Sequence, residues 1–396
     1  MKHVSIVPLL LMVMSIPGLS SSVEANVKSV HKDGIVADAD DNEYKTIIID
    51  EQEWMPENPR ASRYLEGTTH SNQMRQTDKK AEQYFESGFL KLNIEDYRGA
   101  VADFSKAIEI NPRHADAYFF RGMTKSHLKD FRDAITDLSK AIEINPQFAH
   151  AYGARGLAKS ALEDYRGAVA DCSKAIEINP QFAEAYFVRG TAKGVLGDFR
   201  GAVIDYNKVI EINPRNSEAY SSRGRAKGRL GDFRGAVADY NKAIEINPQH
   251  AESYFVRGAA KGAIGDNRGA IADFTKVIEI NPRRAEAYQG RGAAKGALKD
   301  YRGAIADFSK AIEINPQYAE AYFVRGTAKG AIGDNRGAIA DFNKAIETNP
   351  QHAEAYYFRG LSNIILDRID SGCLDFSRAG ELGYGEAYEA IRNHCN

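Results

Sequence analysis

Along most of the chain, small and apolar residues recur at three- and four-residue spacing in short runs. Many of these runs are broken by Gly-Asp or by Asn-Pro. In Ala115–Phe148 the first half reads Ala-Asp-Ala-Tyr-Phe-Phe-Arg-Gly-Met-Thr-Lys-Ser-His-Leu. The second half reads Asp-Phe-Arg-Asp-Ala-Ile-Thr-Asp-Leu-Ser-Lys-Ala-Ile-Glu-Ile-Asn-Pro. Both halves carry the helical period, which predicts two amphipathic helices. Gly197, Gly231, Gly265 and Gly333 stand where the first helix needs a left-handed residue in order to stop. The residue after each is Asp (Asp198, Asp232, Asp266, Asp334), a good N-cap for the second helix. Asn-Pro then ends that helix, because a residue before proline is pushed out of the helical region.

The pattern keeps time. Pro112, Pro146, Pro180, Pro214, Pro248, Pro282, Pro316 and Pro350 follow one another at intervals of 34 residues. A fixed period of this length predicts a repeat solenoid, in which one structural unit sets the whole fold. With Ala81 as position 1, position 4 is Tyr from Tyr84 to Tyr356 and position 8 is Gly from Gly88 to Gly360. Position 20 is Ala from Ala100 to Ala338, and position 24 is mostly aromatic, from Phe104 to Phe376, with Leu138 and Cys172 among the exceptions.

These residues, with the Pro at position 32, strongly resemble the tetratricopeptide repeat. The resemblance implies an all-α, right-handed α-solenoid of helix-turn-helix units. Eight full units fill residues 81–352. A degenerate ninth unit and a capping helix, Glu386–His394, fill 353–396. In that family the first helices line a concave groove, with positions 2, 5, 9 and 12 pointing into it. This chain departs from the pattern at position 7, where Arg replaces an apolar residue from Arg121 to Arg359, and it has Asp at position 23 from Asp103 to Asp375. An internal Arg–carboxylate pair in each unit is the expectation, and such a pair fixes geometry more than it stabilises. A basic binding row is the other reading.

Charge changes the picture little. The 52 basic and 54 acidic side chains leave a net charge of −2, with no basic block, which argues against a nucleic-acid partner. Glycine is abundant, at 34, and mostly inside helical patterns, where each costs about 0.5–1 kcal/mol against Ala. Close helix–helix approach must recover that loss.

Residues 1–25 read as a signal peptide. Lys2 and His3 precede a mainly apolar Val4–Ile16, and Val23-Glu24-Ala25 offers a small-residue cleavage site. The apolar run is too short to span a bilayer. An exported protein, periplasmic or secreted, is expected, with no membrane span. Residues 26–80 form an N-terminal arm. Asp33 to Ile49 reads as a turn between β-type runs. With Trp54-Met55-Pro56-Glu57-Asn58, residues 32–70 resemble the opening of the Fibrobacter succinogenes major paralogous domain. About 39 residues of a longer module bury too little surface to stand alone. We read them as a truncated remnant, short and irregular or β, followed by a polar linker, Ser71–Lys80.

No catalytic constellation stands out. The nine histidines are scattered without metal-ligand spacing, and Arg257–Gly262 lacks the Gly-Lys-Ser/Thr of a phosphate loop. No cofactor or metal is expected, and the chain does not read as an enzyme. Cys172 takes a core position. Cys373 and Cys395 would lie at similar heights if the chain reverses near Gly383, and export would permit a disulfide between them. The alternative is one buried and one exposed thiol.

The groove carries the functional reading. Phe119, Phe187, Phe255 and Phe323 at position 5 alternate with small or polar residues over a 68-residue superperiod, and Tyr357 follows. They either anchor a peptide or protein segment, since aromatics dominate interface energetics, or pack on neighbouring units after a two-unit block was copied. Position 2 is acidic in every unit but the third, where it is His150, which suits a neutral or basic partner. A protein-binding scaffold is the main expectation. An envelope- or surface-associated glycan-binding protein is the alternative.

Overall fold

The computed structural model describes residues 35–37, 43–45 and 69–395. The signal peptide expected at 1–25 and the rest of the arm fall outside them. Ile35–Ala37 and Glu43–Lys45 pair antiparallel, with Ile35 opposite Lys45 and Ala37 opposite Glu43. The other described residues form nineteen helices and their connections. The fold is an α-solenoid of consecutive helix-turn-helix units.

One expected boundary is corrected. Ser71–Lys80 is not a linker: Thr69–Asn93 is a single helix of 25 residues that runs into the first unit. No Gly or Pro interrupts Thr69 to Ser87. A helix nucleated by packing in the first unit therefore extends outward at little cost through Gln, Met, Arg and Lys.

The unit is built as its residues dictate. In the second unit the helices are Ala115–His127 and Phe131–Ile144. The second helices start at Asp96, Asp164, Asp198, Asp232, Asp266, Asp300 and Asp334, each accepting a hydrogen bond from the backbone N–H of a Gly three residues on. A Cβ on those glycines would fall 2.0–2.2 Å from the capping carboxylate oxygen. The second unit tests that reading: Asp133 stands in place of the Gly, and Asp130 makes no side-chain cap. The first helices end in the left-handed region, at Gly197, Gly231, Gly265 and Gly333 as expected, but also at Glu95, Lys129, Glu163, Lys299 and Asp367. Turn bonds such as Asp130 N–H to Lys125 O, 2.9 Å, hold the non-glycine versions against their steric cost.

Two compact units divide the chain, one ending at Pro214 and the other starting at Arg215. In the first, Phe85, Phe104, Phe119, Phe120, Met123, Leu138 and Leu157 share one continuous core. In the second, the buried groups are smaller and separate, such as Tyr240 with Ala260, Phe274 with Ala294 and Phe308 with Ala328. Its last helix, Glu386–His394, buries Ala387 and Ala390 against Phe376 and Ala379 and so closes the final unit.

Position 8 needs glycine because the position-24 ring lies on it. A Cβ at Gly292 would stand 2.6 Å from Phe308 Cε1, and at Gly326 2.7 Å from Phe342 Cε1. Gly292→Ala is expected to destabilise by about 1–2 kcal/mol despite its better helix propensity, because overpacking outweighs the propensity gain. Adding Phe308→Leu should recover part of the loss in chemical denaturation. A stabilised single variant would refute the close approach.

Candidate functional site

The second to eighth repeats each carry a charged ladder between their two helices. Arg121 donates from Nε and Nη2 to Asp137, at 2.9 and 2.6 Å, and from Nη1 to Ser105 Oγ of the preceding repeat, at 3.0 Å. Lys125 Nζ lies 2.8 Å from the same carboxylate. The arrangement recurs through Arg155–Asp171 with Lys159 and Arg325–Asp341 with Lys329. The guanidinium also lies over the position-4 ring, 5.5 Å from the Tyr118 centroid. These cations are mostly buried and engaged with Asp, so they form a structural ladder and not a basic binding row. Sequence reading found the Arg–Asp pair and missed the Lys, although Lys recurs at position 11 from Lys91 to Lys329.

The position-5 aromatics occupy a junction between repeats. Phe119 is fully buried, with its ring 4.8 Å from Phe148 and 5.1 Å from Phe120. It therefore packs and offers no surface to a ligand. The reason is local: Phe148 closes over it from the turn that leads into the next repeat. Phe187, Phe255, Phe323 and Tyr357 are half-buried. Phe187 lies 5.6 Å from Tyr206. Phe255 packs on Phe274 and carries the Arg284 guanidinium 3.8 Å above its centroid. Phe323 lies 4.6 Å from the His352 ring, and Tyr357 lies 4.8 Å from Tyr384. Phe358 stands between the last two, 5.7 Å from Phe323 and 5.4 Å from Tyr357.

The position-34 side chains were not foreseen as part of this site. They sit on the position-5 rings and also reach the position-2 carboxylates: His114 to Glu82 at 3.4 Å, Arg284 to Glu252 at 2.8 Å and His352 to Glu320 at 3.5 Å. Part of the acidic row is thus engaged internally. The available signal was that position 34 varies more widely than its neighbours, as His, Phe, Asn, Arg or Tyr.

The same helix faces differ between the two units. Phe119, Met123 and Leu157 fill the early repeats. In the second unit Ala259 and Ala293 at position 9 are exposed. At Gly228, Gly262 and Gly296, position 12, nothing stands within 4 Å of where a Cβ would be. Open space therefore surrounds these three glycines, on first helices of the same run of repeats that carries the half-buried Phe255 and Phe323.

Cys373 and Cys395 are joined by a disulfide, with Cα atoms 5.7 Å apart, tying the cap to the last repeat. Cys172 is free and buried, and burial pushes its thiol well up. Burial also lowers the pKa of His150. Among the described residues no cluster of His, Cys, Asp and Glu could hold a metal, and no helix is long and apolar enough to cross a membrane.

A family described as tetratricopeptide repeat matches residues 81–114, 115–148, 149–182, 183–216 and 251–284 in one of its forms. Two other forms match 217–250 and 285–318, and 323–371. A tetratricopeptide repeat protein from Parabacteroides merdae is 22% identical, with a TM-score of 0.50 over 63% of this chain and 99% of its own. MamA is 28% identical, with a TM-score of 0.40 over 43% of this chain and 94% of its own. Yeast Tom70 is 16% identical, with a TM-score of 0.41 over 82% of this chain and 90% of its own. A search of curated proteins returns no match.

Proposed function

The chain belongs to the tetratricopeptide repeat family, and on that premise we propose that it is a non-enzymatic scaffold that holds a peptide or protein segment on its first-helix face. Proteins of this family are in general interaction scaffolds without catalytic activity, which supports the reading. The observation that carries the finer reading is that first helices of these repeats combine open space at Gly228, Gly262 and Gly296 and the exposed Ala259 and Ala293 with the half-buried rings of Phe255 and Phe323. Small residues leave room for a partner's own side chains, and the rings give them apolar anchors. The acidic position-2 row favours a neutral or basic segment over a nucleic acid.

The test compares capture from an extract of the source envelope by the wild-type chain and by a variant with Phe187, Phe255 and Phe323 changed to Ala. Proteins held by the first and lost by the second identify the groove ligand. Equal capture by both sinks the groove reading.

Export is the second part of the proposal, motivated by the short apolar run of Val4–Ile16 and the disulfide that closes the last repeat. The mature protein is expected to begin near Asn26. N-terminal sequencing of protein made in a related host checks it, and Met1 retained in a cytosolic fraction would refute it.

A further inference from the structure

We propose that His352 is a proton-operated clasp that fastens the ninth repeat to the eighth, closing as the medium becomes acidic and loosening as it becomes alkaline. The inference does not depend on the groove ligand. His352 lies on the turn between the two repeats, where it is the N-cap residue of helix Ala353–Ile365. Its ring is 10% exposed and lies 4.6 Å from the Phe323 ring. Nε2 is 3.5 Å from Glu320 of the eighth repeat, and Nδ1 is 3.2 Å from Glu354 on the helix it caps.

Two carboxylates face two ring nitrogens. A neutral imidazole carries one proton, so whichever nitrogen holds it, the other turns a lone pair toward a carboxylate. In keeping with that, Nε2 is buried and makes no hydrogen bond. A second proton satisfies both carboxylates at once and places a cation beside the Phe323 ring.

Two other junctions in the same chain calibrate the argument. At the end of the sixth repeat, Arg284 stands in the place of His352, 2.8 Å from Glu252 and 3.8 Å above Phe255. That is the same clasp with a permanent cation. At the end of the first repeat, His114 faces Glu82 at 3.4 Å, but its Nδ1 accepts from the Ala117 N–H at 3.3 Å. A proton there would break a helix cap, so His114 is not built as a switch.

The charged groups acting on His352 are Glu320 and Glu354, from the first helices of the eighth and ninth repeats. The second helix of the eighth, Asn335–Thr348, contributes Phe342, which backs Phe323. Burial and the helix N-terminus both oppose a cation here. The close approach of the Glu320 carboxylate to Nε2, with the charges of Glu320 and Glu354, outweighs them and raises the His352 pKa above its ordinary value. A raised folded-state value means the clasp's stabilisation is complete below the unfolded value, about 6.5. It is lost as the pH climbs through the folded value.

The experiment uses the full chain, wild type and the variants His352→Arg and His352→Gln, each checked for native helix content by circular dichroism. Hydrogen exchange of the segment 353–365, corrected for the intrinsic effect of pH, is read at pH 6 and pH 8. Wild type should gain severalfold protection at the lower pH. His352→Arg should be protected at both values and His352→Gln at neither. A wild-type response no larger than that of His352→Gln overturns the proposal. Histidine-selective NMR titration gives an independent reading, with the resonance assigned by its loss in His352→Gln. A midpoint above that of an ordinary histidine supports the clasp, and an ordinary or lower midpoint overturns it whatever the exchange shows.

Discussion

Asp205→Ala is expected to cost about 3 kcal/mol of stability, toward the lower end of what removing one partner from a buried ion pair costs. The Asp205 side chain is wholly buried and accepts from Arg189 Nε and Nη2, at 3.0 and 2.6 Å. Lys193 Nζ also lies 2.9 Å from it. Its loss leaves two cations face to face in a site built around an anion. Both retain some contact with water, near a fifth of their side-chain surface, which holds the cost below the extreme. Lys208→Ala is the control: its pair with Glu211 is exposed and screened by water, and is expected to shift stability far less. Denaturant midpoints of the two variants give the comparison. An Asp205→Ala chain no weaker than the control would show that the ladder is ornamental.

Replacing Phe187, Phe255 and Phe323 together by Ala is expected to weaken partner binding by about 2 kcal/mol or more, roughly thirtyfold, the scale on which an aromatic anchor acts at an interface. The same substitution costs some stability, since each ring also touches a neighbour, Tyr206, Phe274 or Phe342. That cost should stay below the 3–5 kcal/mol of a fully buried Phe for each site, because these rings are half-buried and Gly153, Ser221 and Gln289 occupy the same position elsewhere. Binding must therefore be measured well below the unfolding temperature of the variant. A destabilised protein that still binds its partner as tightly as the wild type would assign the rings to packing alone.

The fold was legible because its determinants are local and repeated. Asn-Pro stops a helix wherever it stands, and a glycine under a large ring marks a close approach, so Pro112 and Gly88 announce the same unit as Pro350 and Gly326. The boundary at Thr69 was not legible. A polar segment without helix breakers reads as a linker until a packed neighbour gives it a nucleus to extend. The junction residues His114, Arg284 and His352 escaped for another reason. Their roles depend on a carboxylate 32 residues earlier and a ring 29 residues earlier, a separation that becomes contact only once the repeats stack. Phe119 stayed open between anchor and packing on the same account, since only the neighbouring Phe148 decides whether its ring meets water.

The backward reach of each ladder arginine, as from Arg121 to Ser105 or from Arg325 to Ser309, has a consequence for how such a gene can change length. Position 25 offers Ser, Thr or Asn in repeat after repeat, and all three can accept from a guanidinium. Loss or gain of whole repeats by recombination between identical stretches such as 263–274 and 331–342, which are two repeats apart, therefore brings an arginine next to an acceptor again, whichever repeats are involved. Copy number is free to drift without a compensating mutation. Deleting residues 285–318 should accordingly leave a folded, shorter chain, whereas deleting half that length should not.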